Sequence, residues 1–195
     1  PVPDSSVPAA LGYAEQSGIK FSMGLVKNRY INRTFIQPTD ALRKRDVKMK
    51  LNPVIDMIKG KRVILVDDSI VRGTTMRQVI EMLRSAGATE VHLAISSPPI
   101  RYPDFYGINT PLQSELIASK MSVKEMCDNL GADSLNFLSI DGMIASTGLP
   151  ADGFSLSFFD GVYPIDIGSR AKEVAQIAED FDSTQETSNL VESHA

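Results

Sequence analysis

Apolar side chains recur along this chain in two alternating rhythms, one that suits helices and one that suits strands. Val7, Ala10, Leu11 and Ala14 are spaced for one face of a helix, and Gly18 is placed to stop it. Residues 19–26 are expected to form a strand. Residues 27–40 have no clean period and are rich in charge and turn formers, so they read as a loop. A short helix over 53–58 and a break at Gly60 lead to 63–66, an unbroken apolar run that fits a buried strand. Met76, Val79, Ile80 and Leu83 mark a helix ending near Gly87, and 91–95 read as another strand. An irregular stretch begins at Ser97-Pro98-Pro99 and runs through Pro111. Helices are expected over 115–120 and 123–130, the second started by Ser122. A short strand over 135–138 and a helix capped by Ser139 and running through Ala145 follow. Val174, Ile177, Ala178 and Phe181 are spaced for one more amphipathic helix. Residues 182–195 are polar with no Lys or Arg and are expected to be disordered. Strands alternating with helices predict an α/β fold: a mostly parallel central sheet flanked by helices, with an irregular helical C-terminal part. There is no internal repeat.

Within this pattern one segment carries chemistry. Residues 63–75 read Val-Ile-Leu-Val-Asp-Asp-Ser-Ile-Val-Arg-Gly-Thr-Thr. The strand would end at two adjacent carboxylates, Asp67 and Asp68. A short loop of Ser69, Ile70, Val71, Arg72, Gly73, Thr74 and Thr75 comes next, followed by a helical pattern. In open α/β sheets, ligands bind at the carboxyl ends of strands. A loop entering a helix there offers backbone N–H groups and a positive dipole end, which suit a phosphate. Hydroxyls of Ser69, Thr74 and Thr75 add donors, and Gly73 lets the backbone approach closely. Carboxylates accept only, so they cannot bind the phosphate; they suit ribose hydroxyls or a hard cation such as magnesium. The segment therefore implies a ribose 5-phosphate held at both ends. The bland alternative is a strand, an acidic turn and a capped helix with no ligand. The loop fits neither the Walker pattern nor the dinucleotide fingerprint.

Composition bounds the rest. The chain has 195 residues, 43% hydrophobic and 23% charged, as in one ordinary globular domain. No run of eighteen apolar residues suggests a membrane span, and the N-terminus carries no secretion pattern. The single Cys127 excludes an internal disulfide framework and fits a reducing, cytoplasmic setting. His92 and His194 with that cysteine do not make a typical zinc site. The net charge of −4 argues against general nucleic-acid affinity. Charge is uneven, however: from Lys20 to Arg62 there are twelve Lys or Arg against three Asp and no Glu. That stretch is either a solvated basic face or an electrostatic funnel for an anion, and its nearness to the phosphate segment favours the funnel. The start at Pro1 without an initiator methionine is read as that of a fragment or a processed product.

Two more pieces suit an anionic ligand. Pro1-Val2-Pro3-Asp4-Ser5-Ser6 precedes the first helix, and it is either a second anion site or a plain capping segment. Lys27, Arg29 and Arg33 lie within seven positions with Tyr30 and Phe35 among them. Three cations cannot all be buried unpaired. They form either a cover that closes over polyphosphate or an exposed basic loop.

The segment 66–75 resembles the phosphoribosyl-pyrophosphate (PRPP) motif of type I phosphoribosyltransferases. Residues 1–168 resemble, more specifically, the C-terminal phosphoribosyltransferase domain of the glutamine PRPP amidotransferase family. The shared signs are Pro-Asp-Ser-Ser at 3–6, Leu-Gly-Tyr-Ala at 11–14, Lys-Asn-Arg-Tyr at 27–30 and Arg-Thr-Phe-Ile at 33–36. Ser-Ser-Pro-Pro-Ile at 96–100, Phe-Tyr-Gly-Ile at 105–108, Glu-Leu-Ile-Ala at 115–118 and Leu-Gly-Ala-Asp at 130–133 continue the match. The resemblance implies the type I phosphoribosyltransferase fold and the first step of purine synthesis, in which ammonia displaces pyrophosphate from PRPP to give 5-phosphoribosylamine. It implies Asp67 and Asp68 on the ribose hydroxyls and Mg2+, with Ser5 on the same metal. It implies Ser69 to Thr75 on the 5-phosphate, and Asp4, Ser5 and Ser6 on the pyrophosphate side. Lys27, Arg29, Tyr30 and Arg33 would be the catalytic closing loop. Feedback by purine nucleotides and a homo-oligomeric full-length enzyme are also expected, with no nucleic-acid or membrane partner. Residues 169–195 would be a C-terminal helix and tail.

Two departures from the family pattern matter. The family carries an N-terminal glutamine-hydrolysing domain with a terminal cysteine nucleophile, which normally delivers the ammonia. Neither that domain nor the strand leading into Pro1 is supplied, so the chain as given is expected to use ammonia and not glutamine. Some members also hold an iron–sulfur cluster through cysteines, at positions that here are Asp104, Ser155 and Phe158. No cluster is expected, and Cys127 reads as a small packing residue. A nucleobase phosphoribosyltransferase and a non-catalytic PRPP-binding regulator are the alternatives. The first lacks a clear base pocket and the second a DNA-binding domain.

Overall fold

The structure, a computed structural model, describes residues 1–28, 50–106 and 112–170. Helix α1 spans Val7–Ser17 and ends at Gly18, whose φ of 71° is the left-handed conformation that glycine adopts without penalty. Strands β1 (Leu25–Lys27) and β2 (Leu51–Pro53) pair antiparallel. The short helix α2 (Ile55–Ile58) leads to β3 (Arg62–Asp67), α3 (Thr74–Ser85) and β4 (Glu90–Ile95). After two 3-10 turns, Gln113–Glu115 and Ile117–Ser119, come α4 (Val123–Leu130), β5 (Ser134–Phe137) and α5 (Ile140–Thr147). A 3-10 turn at Ala151–Gly153 and helix α6 (Ser157–Asp160) close the described part.

Strands β3, β4 and β5 form one parallel sheet in that order, with Val66 opposite Ala94 and Ala94 opposite Asn136. This is the α/β arrangement that the alternating pattern predicts. The core lies between the sheet and the helices α3 and α4, where Leu65, Val79, Leu83, Leu93, Met126 and Leu130 are buried. Helix α4 starts where the sequence places it. The Ser122 hydroxyl accepts from the Glu125 N–H and the Glu125 carboxylate accepts from the Ser122 N–H, a reciprocal capping box. Ser139 caps α5 from one side only, its hydroxyl accepting from the Gly142 N–H. Cys127 packs against the core and its thiol donates to the Ala132 carbonyl.

Three expectations are corrected. The strand expected over 19–26 is formed only at Leu25–Lys27, so Lys27 ends a strand and does not begin a loop. The pairing with β2 ends one step beyond, where the Val54 N–H donates to the Gly24 carbonyl at 2.8 Å, and Ile19 and Met23 are left exposed. The helix expected over 53–58 begins two residues later, because Pro53 belongs to β2. The helix expected over 115–120 is two 3-10 turns separated by Leu116, which is extended (φ −81°, ψ 115°) and fully buried. The Ile117 N–H there donates 2.9 Å to the Val71 carbonyl, not to its own helix. The end of the irregular stretch 97–111, the loop beyond Asn28, the helix around Val174 to Phe181 and the tail 182–195 lie outside the described residues, wholly or in part.

Candidate active site at the carboxyl ends of the strands

Asp67 is the last residue of β3 and lies half-buried at the carboxyl edge of the sheet. Its Oδ1 accepts from the Ser6 hydroxyl at 2.9 Å and from the Asp68 N–H at 2.9 Å. The Asp68 Oδ1 in turn accepts from the Ser69 N–H at 2.9 Å. Each carboxylate thus spends one oxygen on the protein. The second oxygen of each takes part in no hydrogen bond among the described residues. Burial pushes the Asp67 carboxyl up to about 6; its hydrogen bonds from Asp68 and Ser6 pull the other way, and the Asp68 charge adds to the rise. A carboxylate held against its own desolvation is what a cation or a hydroxyl-bearing ligand relieves.

The loop after the pair turns into α3 at Gly73, which has φ 75°. A Cβ at this glycine would lie 2.9 Å from Ile117 Cδ1 and 3.2 Å from Leu130 Cδ2, so packing as well as backbone angle requires glycine. Among the described residues, the backbone N–H groups of residues 70–75 donate to no protein oxygen. The hydroxyls of Ser69, Thr74 and Thr75 likewise make no hydrogen bond there. Six adjacent amides and three hydroxyls at the start of a twelve-residue helix are donors suited to an anion. Ile70 is buried and anchors the loop. Arg72 is the exception among the expected phosphate contacts. Its guanidinium forms a two-pronged ion pair with Glu115, at 2.7 and 2.6 Å, and so braces the loop against the 3-10 turn.

The N-terminal segment meets this loop from the other side of β3. The Val2 N–H donates to the Val66 carbonyl at 2.8 Å, and Ser6 is fully buried. The Ser6 hydroxyl does not cap α1, for which it stands at the N-cap position, because it is committed to Asp67. The hydroxyl of Ser6, expected on the pyrophosphate side, is thus turned to Asp67 and carries no exposed surface. Asp4 and Ser5 remain exposed. Asp4 accepts from Lys27 Nζ at 2.9 Å, which joins the first cation of the expected cover to the N-terminal segment. Arg29, Tyr30 and Arg33 lie outside the described residues.

Ser96 was not singled out as a site residue. Its N–H and hydroxyl both reach the Asp67 carbonyl, at 2.9 and 3.2 Å, and hold the backbone of the acidic turn. Glu115 and Ile117, which brace the loop after the acidic pair, were missed too. All three sit inside motifs recognised by resemblance, but nothing in their spacing tells which loop they support.

No group of three or more His, Cys, Asp or Glu that would cage a metal is present among the described residues. Two carboxylates with one uncommitted oxygen each do fit magnesium, which is held by one or two carboxylates while substrate oxygens and water complete its shell. A groove of about 540 Å3 lies elsewhere, along the flank of β3 between Ile19, Leu25, Met57 and Ile64. It does not include the acidic pair. Among the described residues no helix is long and apolar enough to cross a membrane.

A family model, the phosphoribosyl transferase domain, matches residues 1–99. The amidophosphoribosyltransferase of Bacillus subtilis is 56% identical over 170 residues, covering 85% of this chain and 36% of its own length. That of Synechocystis is 52% identical over 166 residues, covering 85% and 34%. Of solved structures, the B. subtilis glutamine PRPP amidotransferase complexed with ADP and GMP superposes with a TM-score of 0.76 at 55% identity, over 86% of this chain and 38% of that one. A structure described as the allosteric regulatory enzyme of purine biosynthesis gives 0.77 at 54% identity, over 87% and 37%. The chain spans about a third of the length of the curated relatives it matches.

Proposed function

The chain belongs to the phosphoribosyl transferase domain family, and from that premise we propose that it is the transferase part of an amidophosphoribosyltransferase. Residues 1–168 are assigned to this domain. The reaction is the displacement of pyrophosphate from C1 of PRPP by ammonia: the C1–N bond forms, the C1–O bond breaks, and pyrophosphate leaves with the electron pair. The amine then sheds a proton and 5-phosphoribosylamine results. The observation that carries the reading is the juxtaposition at the end of β3: two half-committed carboxylates, then six undonated amides entering a helix.

In this reading the 5-phosphate lies on the N–H groups and hydroxyls of Ser69 to Thr75, with Ile70, Val71 and Gly73 contributing backbone and Arg72 bracing the loop. The Asp67 and Asp68 carboxylates take the ribose hydroxyls and hold Mg2+ with Ser5. The metal, when bound, offsets charge on the departing pyrophosphate. Asp4 and Ser5 stand on the pyrophosphate side, and Lys27 with Arg29, Tyr30 and Arg33 covers it. Covering excludes water, which competes with ammonia for C1. Little covalent work falls to the protein, so positioning and fixed charge must supply the rate. Purine nucleotides, which the B. subtilis relative binds, are expected to compete or regulate here too. The enzyme is assigned to the cytoplasm, and glutamine-derived ammonia to a part of the enzyme outside this chain.

The test is pyrophosphate release from Mg2+ and PRPP with three co-reactants: ammonium, glutamine and a panel of nucleobases. Release with ammonium alone is expected. Turnover with a nucleobase would assign the chain to base salvage, binding without any turnover would make it a regulator, and glutamine-driven turnover would overturn the division of labour given above.

A further inference from the structure

The Ser6 hydroxyl is fully buried, donates 2.9 Å to Asp67 Oδ1, and joins two segments 61 residues apart. It stands at the N-cap of α1, where a serine hydroxyl ordinarily serves the helix, yet no side-chain cap is formed. The Asp68 N–H donates to the same oxygen. Two donors on Oδ1 fix the carboxylate's rotation and leave Oδ2 without a hydrogen-bond donor among the described residues. The donors come from opposite sides of the site: one from the acidic turn, one from the N-terminal segment that also carries Asp4 and its ion pair to Lys27.

From this we propose that Ser6 is a positioning residue for the transferase: it acts through Asp67, setting Oδ2 for the ribose hydroxyls and magnesium, and touches no substrate itself. The inference rests on the reading of the site as a PRPP site. It also gives the N-terminal segment a second duty. A displacement of residues 4–6 by an arriving pyrophosphate would be felt at the ribose end through this hydrogen bond, which adds to the backbone tie from Val2 to Val66.

A double-mutant cycle on the whole chain tests it, with calorimetric titration of PRPP in the presence and absence of Mg2+. The variants are Ser6→Ala, Asp67→Ala and the pair together, with Ser6→Thr to restore a hydroxyl and thermal melts to verify folding. Ser6→Ala is expected to weaken magnesium-dependent PRPP binding about tenfold at an unchanged melting temperature. In the Asp67→Ala background the same change is expected to shift binding less than twofold, since no carboxylate remains to be positioned. Ser6→Thr should recover part of the affinity. Unchanged binding by Ser6→Ala, or an equal loss in both backgrounds, would overturn the positioning role. Failure of the parent chain to bind PRPP would instead overturn the reading of the site, and the positioning role with it.

Discussion

The two ends of the parallel sheet treat carboxylates in opposite ways. At the amino ends of the strands the two acids among the described residues, Glu90 and Asp133, are matched. Glu90 accepts from Arg62 at 2.6 Å and contacts His92 at 2.8 Å, and His92 reaches on to the Ser134 hydroxyl at 2.8 Å. Asp133 takes the Val91 N–H and the Arg84 guanidinium. Both acids are held below the usual carboxylate range, Glu90 chiefly by the Arg62 hydrogen bond and Asp133 chiefly by the Val91 N–H. At the carboxyl ends, Asp67 forms no ion pair among the described residues, although the Pro1 amino group feels its charge, and burial pushes it up to about 6. Matched acids tie strands together. An unmatched, desolvated acid next to unused amides is a site that stability alone would not retain.

The largest effect should come from breaking the unmatched end. Asp68→Asn and Asp67→Asn are each expected to weaken Mg2+-dependent PRPP binding by roughly 10- to 100-fold, the range for losing a hydrogen bond to a charged group. Calorimetry that found either variant binding like the parent would remove that residue from the site.

The second test reads the sign of the Asp67 shift. Between an ordinary 3.8 and about 6 the folded chain keeps a proton that the unfolded chain has released. Stability from this residue is therefore present at low pH and is lost as pH rises through that window. Asp67→Asn should raise unfolding stability at pH 8 by on the order of 2 kcal/mol and change it little near pH 4. PRPP affinity of the parent should fall below about pH 6, where Asp67 takes up its proton. Urea titrations at the two pH values check the first statement, and calorimetry across the range checks the second. Equal stability changes at both pH values would show that burial is not what raises this acid.

At the matched end the same kind of change should act on stability and not on ligand. Asp133→Ala strips a partner from Val91 and Arg84 and should cost about 1 kcal/mol, discounted because the acid is largely exposed. That contribution has the opposite pH sign: it is present at neutral pH and lost as pH falls through the lowered Asp133 value. Arg62→Ala should have the smallest effect of the set, a slight fall in melting temperature with PRPP binding unchanged. A loss of PRPP affinity in either variant would mean that the two ends are coupled through the sheet.

How much of this was legible in the sequence follows the range of the forces involved. The strand 62–67, the helix 74–85 with its buried stripe, and the capped starts at Ser122 and Ser139 are local: periodicity and a capping hydroxyl lie within a few residues of what they control. The acidic pair and the donor loop were legible for the same reason, since a strand end, a turn and a helix start are consecutive. Only the tertiary structure decided the rest. Whether 19–26 paired depended on how far β2 runs, a partner segment more than twenty-five residues away. Whether 115–120 closed into a helix depended on Val71, which takes the Ile117 N–H. That Ser6 serves Asp67 and not α1, that Arg72 faces Glu115, and that Asp67 is desolvated while Asp133 is satisfied are facts of which groups meet and how much water reaches them. Composition and spacing name the residues able to hold a charged ligand; burial and long-range partners select which of their atoms remain free to do so.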